Sequence, residues 1–224
     1  MRLRTIIVCH TTQPMAKVQA ISEARAVRET GRRMRSRLLD AAVALFKARG
    51  LAGVAVAEIA HAAGAFPSQV TYYFRTKEAL FVEAACREVL YVAAGAEAAA
   101  AGATSGSDYN RRLVEAVIGA PGLALFVEAL SLTRRRQDLA PLIERTFERL
   151  HAEGDRAYAA TRARRGWTGA EDPGVAARRF WTLALGVTLR EGATEASDAE
   201  AVEEMTQLLR QAPVIRVATS KGDR

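Results

Sequence analysis

Residues 31–80 read GRRMRSRLLDAAVALFKARGLAGVAVAEIAHAAGAFPSQVTYYFRTKEAL, and the fold follows from this stretch. Helical periodicity begins near Gly31. Leu38, Ala41, Ala42, Leu45 and Phe46 recur at steps of three and four on one face, with Arg35, Arg37, Asp40 and Lys47 elsewhere. Gly50 suits a left-handed stop, with Leu51 folding back onto the helix end. A second short apolar pattern (Val56, Ile59, Ala60, Ala63) is broken by Gly64, and Pro67 then takes the first position of a new helix. Two short helices joined by a tight glycine turn make a helix-turn-helix, whose second helix fits the major groove of a duplex. In that second helix Val70, Tyr73 and Phe74 share a narrow arc and are expected to face inward. Ser68, Thr71, Tyr72 and Arg75 point away, with Gln69 on the flank.

Outward from this core, the whole chain is compositionally helical. Its 224 residues are 50% apolar and 25% charged, with only 16 Gly and 6 Pro, which excludes wholesale disorder and a loop-rich all-β fold. Alanine, leucine, arginine and glutamate dominate, and all are strong helix formers. No apolar run approaches the roughly 20 residues of a bilayer crossing, so no membrane partner is expected. Two cysteines, Cys9 and Cys86, cannot build a disulfide framework, which suits a reducing, cytoplasmic setting. Cys86 reads either as a small hydrophobe or as a redox sensor.

Charge is unevenly placed. Residues 1–87 hold 14 Lys+Arg against 6 Asp+Glu, a surplus of +8, while the rest hold 18 against 19. A basic end on a neutral body implies a polyanion, either nucleic acid or an anionic membrane surface. The chain divides into a basic arm expected to be unstructured (1–30), the helix-turn-helix domain (31–76) and a helical domain (77–224). Residues 1–14 read as a loose arm, or as a segment preceding the true initiator Met15. The following run from Lys17 to Arg35 is either a solvated tail or a DNA-tracking arm.

The residues of 31–80 resemble the amino-terminal DNA-binding domain of TetR-family transcriptional regulators. The matching landmarks are Ala41, Phe46, Gly50, Ile59, Ala60, Ala63, Gly64, Tyr73, Phe74, Lys77 and Leu80. The resemblance implies a three-helix DNA-binding domain, a linking fourth helix, and a helical carboxy-terminal domain that dimerises and binds a small molecule. Carried over by position, Pro67, Ser68, Gln69, Thr71, Tyr72 and Tyr73 occupy the recognition helix, and Lys77 would grip a phosphate. Gln69 could pair bidentately with adenine or bond a phosphate. Two departures stand out: Ala55 and Phe66 replace the capping hydroxyl residues usual in the family, which puts a phosphate contact at position 55 in doubt. Phe66 either packs on the groove wall or fills the domain core.

Beyond Thr76 the periodicity predicts helices over 76–101, 109–119, 123–137, 141–165, 174–191 and 198–211, an all-α bundle. Residues 178–190 are apolar around most of their circumference, and the last helix carries an apolar stripe. Phe180, Trp181, Leu185, Leu189, Met205, Leu208 and Leu209 are therefore candidates for the implied two-fold interface, or else for the chain's own core. Leu125, Phe126, Leu130, Phe147 and Tyr158 are candidate pocket residues, with plain core packing as the alternative. Arg134-Arg135-Arg136 reads as a solvated face or a draw for an anionic ligand.

Catalytic signals are missing. Tyr73 and Lys77 have the spacing of a dehydrogenase pair, but no G-x-G-x-x-G accompanies them, and neither G-x-S-x-G nor S-x-x-K occurs. His10, His61 and His151 are too scattered for a metal or triad pattern. The expectation is a homodimeric, non-enzymatic regulator without metal or cofactor. It would bind a palindromic double-stranded DNA operator and be released by an unknown small-molecule effector. A small helical enzyme acting on an acidic substrate, or a non-specific DNA-coating protein, are the alternatives.

Overall fold

A computed structural model describes residues 13–167, 171–194 and 197–210, with backbone alone for 13–24, 26 and 27. Among these residues the chain is helical without strands. In order the helices are α1 (Gln13–Arg49), α2 (Val56–Ala62), α3 (Pro67–Phe74), α4 (Lys77–Ala100), α5 (Gly106–Val117), α6 (Pro121–Thr133), α7 (Ala140–Arg165), α8 (Pro173–Glu191) and α9 (Asp198–Arg210). A single 3-10 turn, Gln137–Leu139, precedes α7.

The arm expected to be unstructured over 1–30 is corrected by α1, which is helical from Gln13; residues 1–12 lie outside the described residues. Its 37 residues span about 55 Å at 1.5 Å per residue. No apolar stripe marks residues 13–30, so periodicity missed them. Ala, Gln, Lys, Arg and Glu there are good helix formers, and a helix nucleated by the buried Leu38–Phe46 face propagates outward at little cost. Glu29 adds pairs to Arg32 and Arg33 at 3.7 and 3.2 Å.

Leu38, Ala42 and Phe46 of α1, Ile59 and Ala60 of α2, and Val70 and Phe74 of α3 close on Leu80 and Phe81 at the start of α4. Phe46 meets Phe81 edge to face at 5.1 Å. One continuous apolar cluster then runs along α4 to Val114 of α5, Phe126 of α6, Leu150 of α7, Phe180 of α8 and Met205 of α9. Helix α4 is thus shared: it packs on α1, α5, α6 and α7. Three ion pairs pin α1 to α4. Arg35 reaches Glu83 at 2.5 Å, Arg87 reaches Asp40 at 2.7 Å, and Lys47 binds Glu88. The first two are solvent-screened and contribute about 0–1 kcal/mol each. Glu88 is buried, so losing Lys47 would strand a carboxylate, which is far more costly.

Boundaries beyond α4 differ from the periodicity where capping decides them. Helix α5 starts at Gly106 rather than 109, because Ser105 Oγ accepts from the Asp108 N–H at 3.1 Å. Helix α6 starts on Pro121 and stops at Thr133, short of 137, where the chain turns to bury Leu139. Arg136 is paired at the surface: it bonds both carboxylate oxygens of Asp138 and lies 3.6 Å from Glu78.

Asp108 offers a test by acid. The Thr104 amide, with Arg111 and Arg112, holds its carboxyl at about 2, against an ordinary 3.8. A lowered carboxyl pKa stabilises the fold above pH about 4, and the stabilisation fades as pH falls through about 2. Asp108→Asn should therefore melt below wild type at pH 5, with the gap closing by pH 2. A gap that persists unchanged at pH 2 would refute the assignment.

Candidate nucleic-acid interface

Neither α2 nor α3 has a hydroxyl cap, and both solve the loss the same way. The Ala55 N–H donates to Glu58 Oε2 at 2.7 Å, and the Phe66 N–H donates to Gln69 Oε1 at 3.0 Å. In each case the third helical residue reaches back to the cap position, which is half of a capping box. The Ala55 amide, then Arg49 at 2.8 Å, holds the Glu58 carboxyl below its ordinary value. Between the helices, Gly64 has φ +60°, and a Cβ there would lie 2.7 Å from Arg37 Nη2. That guanidinium donates to the Ala63 carbonyl at 2.5 Å, and the left-handed backbone of the turn favours glycine.

Helix α3 presents the arc that its periodicity predicts. Val70 and Phe74 are buried, while Pro67, Ser68, Thr71 and Tyr72 are exposed, Tyr72 at 80%. Tyr73 is half-buried at the edge, its ring 4.9 Å from that of Tyr72. Phe66 is 76% exposed, which removes the reading that it fills the core.

Two residues behave as the sequence did not foretell. Lys77 Nζ donates to the Leu51 and Val54 carbonyls at 2.9 and 3.0 Å, tying α4 to the α1–α2 turn. Two of its three donors are therefore spent inside the domain, where a phosphate grip had been expected. Gln69 likewise uses its amide oxygen on the cap, so bidentate pairing with adenine competes with that bond.

Arg75 ends α3 with φ +66° and ψ −55°, and the Thr76 N–H donates to the Phe74 carbonyl at 2.7 Å. This is the strained, positive-φ form of the γ-turn. Arg75→Gly should raise unfolding stability by about 1 kcal/mol, read from urea melts of the free protein. A destabilised variant would mean that the arginine side chain matters more than its backbone.

The predicted interface residues divide. Phe180, Trp181, Met205 and Leu209 are buried within the chain itself, which corrects their assignment to an outer surface. Leu185 is half-buried, and Leu189 and Leu208 are exposed. An apolar circumference says that a helix is covered, and α7 already covers most of α8. The open face carries Val175, Thr182, Gly186 and Leu189, whose spacing of seven, four and three residues could have revealed a stripe.

The predicted pocket residues are mostly packing. Leu125 and Phe126 are core, and Phe147 meets Phe126 at 5.6 Å. Leu130 lines a shallow groove with Leu185 and Leu189. Of these, Tyr158 alone reaches the larger space: a cavity of about 370 Å³, partly open to solvent, between α5, α7, α8 and α9. A hole of about 30 Å³ adjoins it, bordered by Tyr109, Tyr158 and Trp181. Sequence reasoning missed the other lining residues, which lie too far apart in the chain to form a pattern.

Cys86 is buried, its thiol 3.8 Å from the Leu142 carbonyl, and burial pushes its pKa up. A protonated, covered thiol behaves as a small hydrophobe rather than a redox sensor. His61 is exposed on α2. Among the described residues no three or more His, Cys, Asp or Glu are placed to hold a metal, and no single helix is long and apolar enough to cross a membrane.

Comparison with known proteins agrees with this geometry. Residues 38–84 match the amino-terminal model of the bacterial regulatory proteins of the tetR family, and residues 106–210 match a bacterial transcriptional repressor carboxy-terminal model. A transcriptional regulator from Rhodococcus sp. RHA1 shares 39% identity over 79% of this chain and 93% of its own, with a TM-score of 0.69. A TetR-family regulator from Mesorhizobium loti MAFF303099 is 22% identical over 80% of this chain and 95% of its own, at a TM-score of 0.61, a likeness of fold alone. No curated protein matches the chain. With both halves matched and a solved relative at that identity, the chain belongs to the TetR family of bacterial transcriptional regulators.

Proposed function

We propose that the protein is a cytoplasmic, homodimeric repressor that binds a palindromic operator and releases it when a small molecule binds. The observation that carries this reading is the outward face of α3. Pro67, Ser68, Thr71 and Tyr72 stand in solvent, with Phe66 beside them, on a helix anchored by Val70 and Phe74. Gln69 and Tyr73 flank this face, and Lys77 keeps one donor for a phosphate. Exposed Arg25, Arg28, Arg32 and Arg33 on α1 supply sequence-independent attraction to the duplex. A two-fold dimer would set two such helices about 34 Å apart, one turn of DNA. The exposed stripe of α8, with Leu208 of α9, is the proposed contact between subunits. Effector binding would favour a dimer whose spacing no longer fits the groove, through the α1–α4 ion pairs and the Phe46–Phe81 contact.

Gel-shift titration and footprinting on the DNA upstream of its own gene test this. The expected result is a palindromic footprint whose affinity falls steeply with salt. Equal binding to all DNA would instead support a coating protein, and no binding would support a helical enzyme of acidic substrates. Gln69→Ala should narrow the affinity gap between operator variants by about 1–3 kcal/mol. Unchanged discrimination would show that Gln69 serves only as a cap.

A further inference from the structure

The cavity between α5, α7, α8 and α9 draws its lining from Gly106 to Arg210, outside the helix-turn-helix, and its chemistry is specific. At about 370 Å³ it falls in the range, roughly 300–1,000 Å³, of small-molecule sites. One wall is aromatic: Tyr109 stands edge to face with Tyr158 at 5.3 Å and with Trp167 at 6.3 Å. Such a wall receives a flat ring. The Tyr158 hydroxyl donates to Asn110 Oδ1 at 2.7 Å, which leaves the Asn110 amide nitrogen as the donor on that side. Burial pushes both tyrosine pKa values up, so neither becomes an anion near neutrality.

The opposite side is short of acceptors. Thr206 is 6% exposed, lines the cavity, and its Oγ1 is buried with no hydrogen-bond partner among the described residues. A buried hydroxyl without a partner is costly, and an occupant that accepts its hydrogen bond removes the cost. Arg210 lies one turn further along α9, and Arg162 borders the same space from α7, anchored on the Glu171 carbonyl at 2.7 Å. Glu171, the one carboxylate among the lining residues described, is paired with Arg179 at 2.9 Å. Formal charge at the cavity is thus positive, and its polar groups are chiefly donors.

We propose that this cavity binds a small planar aromatic carboxylate, its ring against Tyr109, Tyr158 and Trp167 and its carboxylate on the Thr206 hydroxyl and the Arg210 guanidinium group. The proposal deepens the effector-responsive reading above by assigning the effector's site and class, and in that respect rests on it. Flatness is selected by the aromatic wall, the anion by the donor-rich side.

Isothermal titration of the full chain with 2-naphthoate and its neutral isostere 2-naphthamide tests it. The acid should bind with a micromolar Kd, and the amide at least about tenfold more weakly, because a charge-assisted bond is lost. Thr206→Val, nearly isosteric, should weaken the acid about three- to tenfold with little change in melting temperature, and Arg210→Gln should weaken it similarly. Equal affinity for acid and amide, no binding of either, or full affinity in both variants would overturn the proposal. Failure of the regulatory reading looks different: 2-naphthoate would bind as expected yet leave the operator complex intact in a gel shift.

Discussion

Phe46→Ala should lower the unfolding free energy by about 3–5 kcal/mol, the usual cost of truncating a fully buried aromatic side chain. Phe46 is 1% exposed and sits where α1, α2 and α4 converge, with the wholly buried Phe81 ring edge-on to it at 5.1 Å. The surrounding residues cannot collapse into the void. Leu38 and Ala42 are held by α1 itself, and α4 is pinned to α1 by Lys47–Glu88 and its neighbours. The same ring joins α1 and α2 to α4, so the proposed function predicts that the variant also binds operator more weakly at temperatures where it remains folded. Urea melts supply the first measurement and gel shifts the second. A stability loss below 1 kcal/mol would mean that Phe46 is not the keystone of the domain.

The second large effect concerns Lys77. Replacing it by methionine keeps the aliphatic stem and deletes the ammonium that serves the Leu51 and Val54 carbonyls. Hydrogen bonds to a charged group contribute about 1.5–3 kcal/mol, and part of this is recovered where water reaches the half-buried site. A loss of about 2–3 kcal/mol in the free protein is therefore expected from Lys77→Met. A lysine acting only on phosphate predicts the opposite pattern. Stability without DNA would stay unchanged, and the slope of log affinity against log salt would fall by about one. Measuring both on one variant decides between the internal tie and the phosphate grip.

Much of the α3 face was legible because helical periodicity is local. Val70 and Phe74 inward, Ser68, Thr71 and Tyr72 outward, follow from 3.6 residues per turn alone, and the structure reproduces them. Caps were half legible. The missing hydroxyls at Ala55 and Phe66 are plain in the sequence, and Glu58 and Gln69 lie at the box spacing, but only the structure shows both reaching back to the cap amides. Residues 13–30 of α1 were illegible to apolar periodicity, since no sustained apolar stripe runs through that part of the sequence.

By itself the sequence determined the helical class, the helix-turn-helix and its outward residues, and a basic end on a neutral body. Each is a property of neighbours within a few turns, or of summed charge. Tertiary structure alone decided that Phe180, Trp181, Met205 and Leu209 turn into the chain's own core, that Lys77 spends two donors on the turn before α2, and that residues spread from Gly106 to Arg210 meet around one cavity. Periodicity gives a side chain's direction from its own helix axis. What stands opposite depends on how distant helices pack.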